Sequence, residues 1–442
     1  MSKSGAVPAH MKRNVFLLAT CQALFNTSTG VLLAIAALVG YKLAVDKSVA
    51  TLPQAIQWLS TAAFAIPVAI MMRRVGRRVG FSVSAMFGIA GALVAALAIF
   101  QHSYWLFVCA TLLFGGFTAA SQHYRFAAAE VSSPKFRGKA ISLVIGGGVV
   151  AAFAGPEISK WTYNLAGSWM DRDSFSAVVA FICGPGVLSL SDRVPDQPYQ
   201  YAATFLVLAM IPVLLIIVVR FVKFPQVREE EFSVPPRALG QILVQPSFIV
   251  AVMCAVIGWG IMVLMMTATP IAMKAQFGHH EVDAMFVVQW HMVGMFAPSF
   301  ITGSLIARFG LLNVLLAGLL LSACSAIVGA LGGSISHFWL ANVLVGMGWN
   351  FLFVGGTALL TYTYRPSERA KAQGINDFLV FGAVAIFSGS SGWIQTVLGW
   401  NTVCYLVLPF ITAVFISVCW LKLYPSAVPA GLRNSDSVGE ES

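Results

Sequence analysis

The sequence predicts an all-α membrane protein with twelve transmembrane helices, and three observations carry that prediction. The first is composition: of 442 residues, 58% are hydrophobic and only 10% are charged. A soluble domain is about 45–50% apolar and about one-quarter charged. The second is a series of twelve apolar stretches, most of them longer than the roughly 20 residues needed to cross a bilayer as a helix. The third is the one-sided placement of the basic residues between those stretches. The same arithmetic excludes a disordered chain, a coiled coil and a disulfide scaffold; the 7 Cys are scattered with no CxxC pair or zinc spacing.

Along the chain, a short basic N-terminus (1–13) ends at Lys12 and Arg13 and runs into span 1 at 14–41. That stretch is too long for a signal peptide and lacks a small-residue cleavage site. Spans 2 (51–72) and 3 (80–101) flank the basic turn Arg73-Arg74-Val75-Gly76-Arg77-Arg78. Span 4 (104–129) closes on Arg125 and Glu130, and span 5 (138–164) carries Gly155-Pro156 and Glu157. Residues 165–199 form an outside loop with Asp171, Asp173, Asp192 and Asp196. Its short apolar stretch around Cys183 is interrupted by Gly184-Pro185-Gly186, which suits a capping or re-entrant segment. Span 6 (200–222) completes an N-terminal half, 14–222. A polar cytoplasmic link (223–247) with Glu229-Glu230-Glu231 and Pro235-Pro236 leads to the C-terminal half, 248–423. Its spans are 248–272, 284–306, 311–333, 337–363, 372–396 and 400–423, followed by a cytoplasmic tail, 424–442.

With an even number of spans both termini lie on one side. If that side is the cytoplasm, only Lys42, Lys47, Lys160, Arg172, Arg193 and Lys274 of the 27 basic residues fall outside. This is the positive-inside pattern. The net charge of +10 therefore reports topology in a lipid bilayer and calls for no nucleic-acid partner.

The halves repeat. Arg74-Val75-Gly76 after span 2 matches Arg308-Phe309-Gly310 after span 8, and Pro134, Arg137 and Lys139 before span 5 match Pro366, Arg369 and Lys371 before span 11. Both matches lie on the cytoplasmic side, so the repeat is parallel. Two six-helix halves related by a pseudo-two-fold axis along the membrane normal can rock about a central cavity and expose it alternately to either side. In these features the chain resembles the major facilitator superfamily. Arg73 to Arg78 resembles its loop 2–3 signature, with Arg73 where the family usually has Asp, and Gly155-Pro156 resembles a second motif. The resemblance implies a gate on the inner side in which Arg73, Arg74, Arg77 and Arg78 take part, Arg77 and Arg78 pairing with Asp377 of span 11. Glu157 is an intramembrane carboxyl and so a candidate for proton coupling; a simple ion pair with Lys160 is the alternative. His123 lies near the inner end of span 4.

Spans 7 and 8 hold a set of soft side chains. Met262 and Met266 form an MxxxM pair, and His291 and Met295 an HxxxM pair. An i,i+4 spacing puts each pair on one helix face, and both pairs fall near mid-span. Thioether sulfur favours Cu(I), and imidazole also suits copper. Cys254 lies about 12 Å nearer the cytoplasm by helical rise. Against this, Met is a common packing residue in apolar interiors, and His291 needs only a hydrogen-bond partner. His279 and His280 lie in the outside loop beside Met273.

The combination resembles the CcoA-like copper importer branch of the superfamily, which has MxxxM in span 7, HxxxM in span 8 and a Cys two turns before the first Met. The resemblance implies Met262, Met266, His291, Met295 and Cys254 as metal ligands. It implies import of copper, as Cu(I) cargo with no resident cofactor, across the bacterial inner membrane for assembly of cbb3-type cytochrome oxidase. A cytoplasmic copper chaperone would receive the ion, and such facilitators commonly work as monomers. A sister branch resembles riboflavin importers. On that alternative the Met and His pairs are packing, and Trp259, Trp290, Trp349 and Asn350 line a cavity for a small organic molecule. An enzyme is disfavoured: the chain has no HExxH, Walker loop, nucleophile elbow or CxxCH.

Overall fold

The computed structural model describes residues 10–45, 49, 52–133, 136–168, 199–224 and 235–424. Most of the expected outside loop, much of the central link, and both tails lie outside the described residues. Among the described residues twelve helical stretches are long and apolar enough to cross a membrane. They are α1 (Met11–Leu32), α2 (Leu52–Val75), α3 (Arg77–Phe100), α4 (Tyr104–Glu130), α5 (Arg137–Gly155), α6 (Tyr201–Phe221), α7 (Pro246–Gln276), α8 (Asp283–Phe309), α9 (Leu311–Leu331), α10 (Ile335–Leu360), α11 (Pro366–Leu398) and α12 (Trp400–Leu423). The expected number and order of spans hold.

Three spans break where the sequence weakens the helical ladder. In α4 the break is at Gln122 and His123, between Tyr104–Ser121 and Tyr124–Glu130. In α5 it is at the glycines Gly147 and Gly148. In α8 it precedes Pro298, which has no N–H to give and whose ring crowds the preceding turn. Past Pro270, α7 ends in a π-turn, Ala272–Gln276. Freed carbonyls in a membrane interior need partners from neighbouring helices. Asn350 of α10 supplies one in α8: its Nδ2 donates to the Met295 carbonyl at 2.6 Å and also to Ser299 Oγ.

The expected repeat is visible in the backbone. Gly76, between α2 and α3, has φ +85° and ψ 159°; Gly310, between α8 and α9, has φ +82° and ψ 152°. Side chains rarely adopt that region, so the two Arg-x-Gly matches share one turn, which Gly399 between α11 and α12 also adopts at φ +80° and ψ 169°.

The helices fall into two compact units. One holds Cys21–Gln122 and Val150–Phe221. In it α3 packs on α4 and α6, and α2 packs on α4, with edge-on ring pairs Phe25–Phe117 at 5.5 Å and Phe107–Phe205 at 5.8 Å. The other holds Met1–Thr20, His123–Val149 and Val222–Ser442. In it α9 and α10 pack together, as do α8 with α10, α7 with α10 and α11, and α9 with α12. The first part of α5 packs on the second part of α8, where Ser142 donates to the Ser299 carbonyl and accepts from Gly303 N–H at 3.1 Å. The unit borders cut α1, α4 and α5, a different division from the two six-span halves.

Both ends of the central link are tied down in the second unit. Asn14 exchanges two hydrogen bonds with the backbone of Lys223, at 2.8 and 3.1 Å. At the other end, Arg237 Nε and Nη2 grip the Glu368 carboxylate at 2.8 and 2.6 Å, and Arg237 Nη2 also donates to the Thr363 carbonyl at 2.9 Å. Such a forked pair is the strong form of ion pair.

Candidate functional site

The second unit carries three clusters of functional interest. The first surrounds His291. Close approach of α8 and α10 needs small residues, as membrane helices commonly use. A Cβ on Gly346 would sit 2.8 Å from the His291 carbonyl, and one on Gly294 would sit 2.8 Å from the Val343 carbonyl. That approach lets His291 Nδ1–H donate to the Asn342 carbonyl at 2.8 Å. The Asn342 side chain is oriented in turn: its Nδ2 donates to Thr269 Oγ1 at 2.9 Å and to the Phe338 carbonyl at 2.9 Å. Because Thr269 donates its own proton to the Met265 carbonyl at 2.8 Å, its oxygen must accept from Asn342. His291 Nε2 and Asn342 Oδ1 have no hydrogen-bond partner among the described residues. Both are acceptors, and both are buried.

The soft side chains expected from the sequence sit on α7 and α8 around this node. Cys254 and His291 are fully buried, Met262 and Met295 nearly so, and Met266 is half-buried. The two helices pack on each other and on α10. The partner the structure gives His291 comes from α10, however, and not from the methionines of α7. Among the described residues no three His, Cys, Asp or Glu side chains converge on a metal position, so a metal site here would rest on thioethers and one imidazole.

The second cluster is aromatic. Trp259 of α7 meets Trp349 of α10 edge-on at 5.1 Å, Phe353 at 5.6 Å and Phe381 of α11 at 5.7 Å. Trp349 stacks on Phe353 at 5.1 Å and 22°, and Phe296 of α8 closes the group at 5.7 Å from Trp349. Trp349 Nε1–H is buried without a hydrogen-bond partner among the described residues, an uncommon state for a buried indole. Of the four residues expected to line an organic-solute cavity, the structure brings Trp259 and Trp349 together. Trp290 lies apart, 41% exposed and edge-on to Trp339 at 6.1 Å. Asn350 is occupied at the α8 break.

The third cluster is charged and buried. Arg125 of α4 and Asp377 of α11 form an ion pair through Nη2 and Oδ1. Asn376 Nδ2 donates to the same carboxylate oxygen at 2.9 Å, and His123 Nε2 lies 4.0 Å from the other. The guanidinium also lies over the rings of Phe353 and Phe126, at 4.1 and 4.6 Å, a favourable cation–π placement. The sequence expectation gave Asp377 to Arg77 and Arg78, which belong to the other unit; within its own unit Asp377 pairs with Arg125. Nearby, Arg369 holds Glu130 at 3.4 Å.

In the other unit, Arg73, Arg74 and Arg78 are exposed around the Gly76 turn, and Arg77 is half-buried with Nη1 3.3 Å from Met72 Sδ. Glu157 is exposed on its helix; the Lys160 side chain, its expected partner, lies outside what the structure describes. The sequence reading missed the Arg125–Asp377 pairing and Asn342. The only available signal was the presence of a buried Arg and Asp in two apolar spans, since intramembrane charges seek each other.

The profile of the Major Facilitator Superfamily matches residues 15–288 and 249–439. The chain belongs to the major facilitator superfamily. It is 37% identical over 421 residues to the riboflavin transporter RfnT of Brucella anthropi, covering 95% of this chain and 98% of that one. It is 27% identical over 391 residues to an uncharacterized transporter of the same type, YdeG of Bacillus subtilis, covering 87% and 86%. Among solved structures, the fucose:proton symporter FucP of E. coli superposes with a TM-score of 0.69 at 15% identity, covering 93% and 98%. A bacterial homologue of the iron transporter ferroportin, in an outward-facing state, gives 0.65 at 11% identity, covering 93% and 100%. At those identities the structures speak for the fold alone. These relatives lend no support to the resemblance to the copper importer branch.

Proposed function

We propose that this chain imports riboflavin, or a flavin-sized aromatic solute close to it, across the bacterial inner membrane by alternating access. The observation that carries the reading is the 37% identity to a riboflavin transporter along 95% of the chain. The aromatic cluster of Trp259, Trp349, Phe353, Phe381 and Phe296 supports it. A fused planar ring system is attracted to faces and edges of this kind, and the Trp349 indole N–H offers a donor to a ring carbonyl. The leading expectation from the sequence, copper, thereby gives way to its alternative. The protein acts as a carrier, not an enzyme. It works as a monomer in the bilayer, with both termini cytoplasmic and two six-span halves, and the Arg73–Arg78 turn belongs to the inner gate.

A second reading keeps copper as the cargo, and one observation favours it. His291 donates through Nδ1 to a backbone carbonyl while Nε2 has no hydrogen-bond partner among the described residues, the posture of an imidazole that ligates a metal. On that reading Met262, Met266, Met295 and Cys254 relay Cu(I) toward a cytoplasmic chaperone. One experiment separates the two: uptake of labelled riboflavin and of copper, each by cells expressing wild-type protein and the double variant Met262→Ala, His291→Ala. Riboflavin uptake by wild-type protein with no copper uptake above background supports the flavin reading. Copper uptake that the double variant abolishes, with no riboflavin uptake in wild-type cells, overturns it.

A further inference from the structure

We propose that His291 Nε2 and Asn342 Oδ1 together receive the hydroxyl chain of the transported solute; this rests on the flavin reading, in which the ring system takes the aromatic cluster. Both side chains are fully buried, and neither atom has a hydrogen-bond partner among the described residues. A buried acceptor without a donor costs folding free energy, and native proteins keep few of them. Two such atoms on a pair of joined residues mark a place for a ligand that brings donors.

The neighbours fix what these atoms can do. The Asn342 carbonyl only accepts, so the ring proton of a neutral His291 stays on Nδ1 and Nε2 presents a lone pair. Both protons of the Asn342 amide are used, one on Thr269 Oγ1 and one on the Phe338 carbonyl. The amide is thereby held in one orientation, and its oxygen too presents only lone pairs. A hydroxyl donates one proton and carries no charge. A polyol chain therefore supplies two donors without bringing an ion into the membrane interior, where charge is costly. Cu(I) would account for the imidazole but not for the amide, because carbonyl oxygen suits hard cations.

The placement of the two acceptors relative to the rings fits such a solute. On α10, Asn342, Gly346, Trp349 and Phe353 follow at intervals of four, three and four residues, which puts them on one helix face. That face meets α7 and α8 at both levels. Asn342 bonds Thr269 of α7 through its side chain and His291 of α8 through its carbonyl. Trp349 meets Trp259 of α7 and Phe296 of α8. Seven residues separate Asn342 from Trp349, about 10 Å by helical rise, an interval that a tricyclic ring bearing an extended hydroxylated chain bridges. Between the two levels α7 carries Met262 and Met266, and α8 carries Met295. Unbranched thioether side chains repack readily, which gives this seam a wall that can part for a solute.

The test measures uptake of labelled riboflavin by membrane vesicles containing the full chain, with unlabelled riboflavin or lumiflavin as competitor. Lumiflavin has the same rings with a methyl group in place of the hydroxyl chain. One net hydrogen bond is worth about 2- to 12-fold in affinity, so wild-type protein is expected to prefer riboflavin by about 4- to 150-fold. His291→Asn keeps an N–H for the Asn342 carbonyl and lacks the Nε2 acceptor; Asn342→Leu lacks Oδ1. In each, KM for riboflavin is expected to rise about 2- to 12-fold while inhibition by lumiflavin is unchanged. The ratio of the two constants does not depend on how much of a variant has folded, and the wild-type preference is read without any variant. Equal competition by the two flavins in wild-type vesicles, or an unchanged ratio in either variant, overturns the hydroxyl subsite alone. No saturable riboflavin uptake by wild-type vesicles overturns the flavin reading and, with it, the subsite.

Discussion

Replacing Asp377 by Leu strands a guanidinium in the membrane interior, and the cost of doing so can be set from the structure. Arg125 is 2% exposed and has Asp377 as its ion-pair partner, so loss of the carboxylate leaves a positive charge with little access to water. Removing one partner of a buried pair typically costs about 3–5 kcal/mol. The rings of Phe353 and Phe126 remain over the guanidinium and recover part of this, about 1–2 kcal/mol. The expected loss for Asp377→Leu is therefore about 1–4 kcal/mol. Replacing both partners, Arg125→Met with Asp377→Leu, removes the stranded charge and is expected to cost less than the single change, since apolar pairs of similar volume often substitute well. The assay is reversible unfolding in SDS followed by tryptophan fluorescence, run as a double-mutant cycle. A single-variant loss below about 1 kcal/mol, or a double variant worse than either single, would refute the claim that the two charges stabilise each other in the interior.

Three further outcomes follow from particular contacts. Gly346→Val places side-chain atoms where a Cβ alone would lie 2.8 Å from the His291 carbonyl. It is expected to destabilise by about 1–3 kcal/mol and to weaken α8–α10 packing, seen as loss of disulfide cross-linking between cysteines engineered on those helices. Gly76→Ala and Gly310→Ala, at matching positive φ and extended ψ, are each expected to cost about 1–3 kcal/mol; a cost at only one of them would contradict the shared turn. Glu368→Ala frees Arg237 from its fork, so trypsin cleavage after Arg237 in membrane vesicles is expected to speed up several-fold. The hydrogen bond to Glu368 raises the Arg237 pKa above the ordinary guanidinium value. Arg237 thus stays charged as pH rises, and the protection is expected to persist unchanged from pH 7 to pH 9.

Much of the architecture was legible because membrane spans write themselves in composition. Twelve apolar runs, and basic residues gathered between them, need no tertiary information. The Gly76 and Gly310 turns were legible for the same reason: Arg-x-Gly recurs at corresponding places, and glycine has a backbone reason to be there. The site was harder. Asp377 is readable as a candidate gating residue, but its pairing with Arg125 leaves no mark in the sequence. Sequence distance cannot tell which buried arginine faces an aspartate in another span. The Met262–Met266 and His291–Met295 pairs were readable as pairs, since i,i+4 spacing fixes a shared face. Their spacing is the same whether the side chains bind a cation or fill a helix interface. Asn342, which orients His291, gave no periodic or motif signal at all. Trp259, Trp349 and Phe353 were singled out only in part, because rings on three helices converge through packing that no local pattern encodes.

The measurement that tests the central claim most directly is initial-rate uptake of labelled riboflavin in a riboflavin-auxotrophic bacterium expressing this chain, compared with Trp349→Phe and Trp349→Ala. The account predicts saturable uptake by the wild-type chain, largely kept by Trp349→Phe. In Trp349→Ala, KM rises about 2- to 12-fold for the aromatic contact removed, worth about 0.5–1.5 kcal/mol. Uptake indistinguishable from cells lacking the protein, alongside copper uptake that Met262→Ala and His291→Ala abolish, would contradict it.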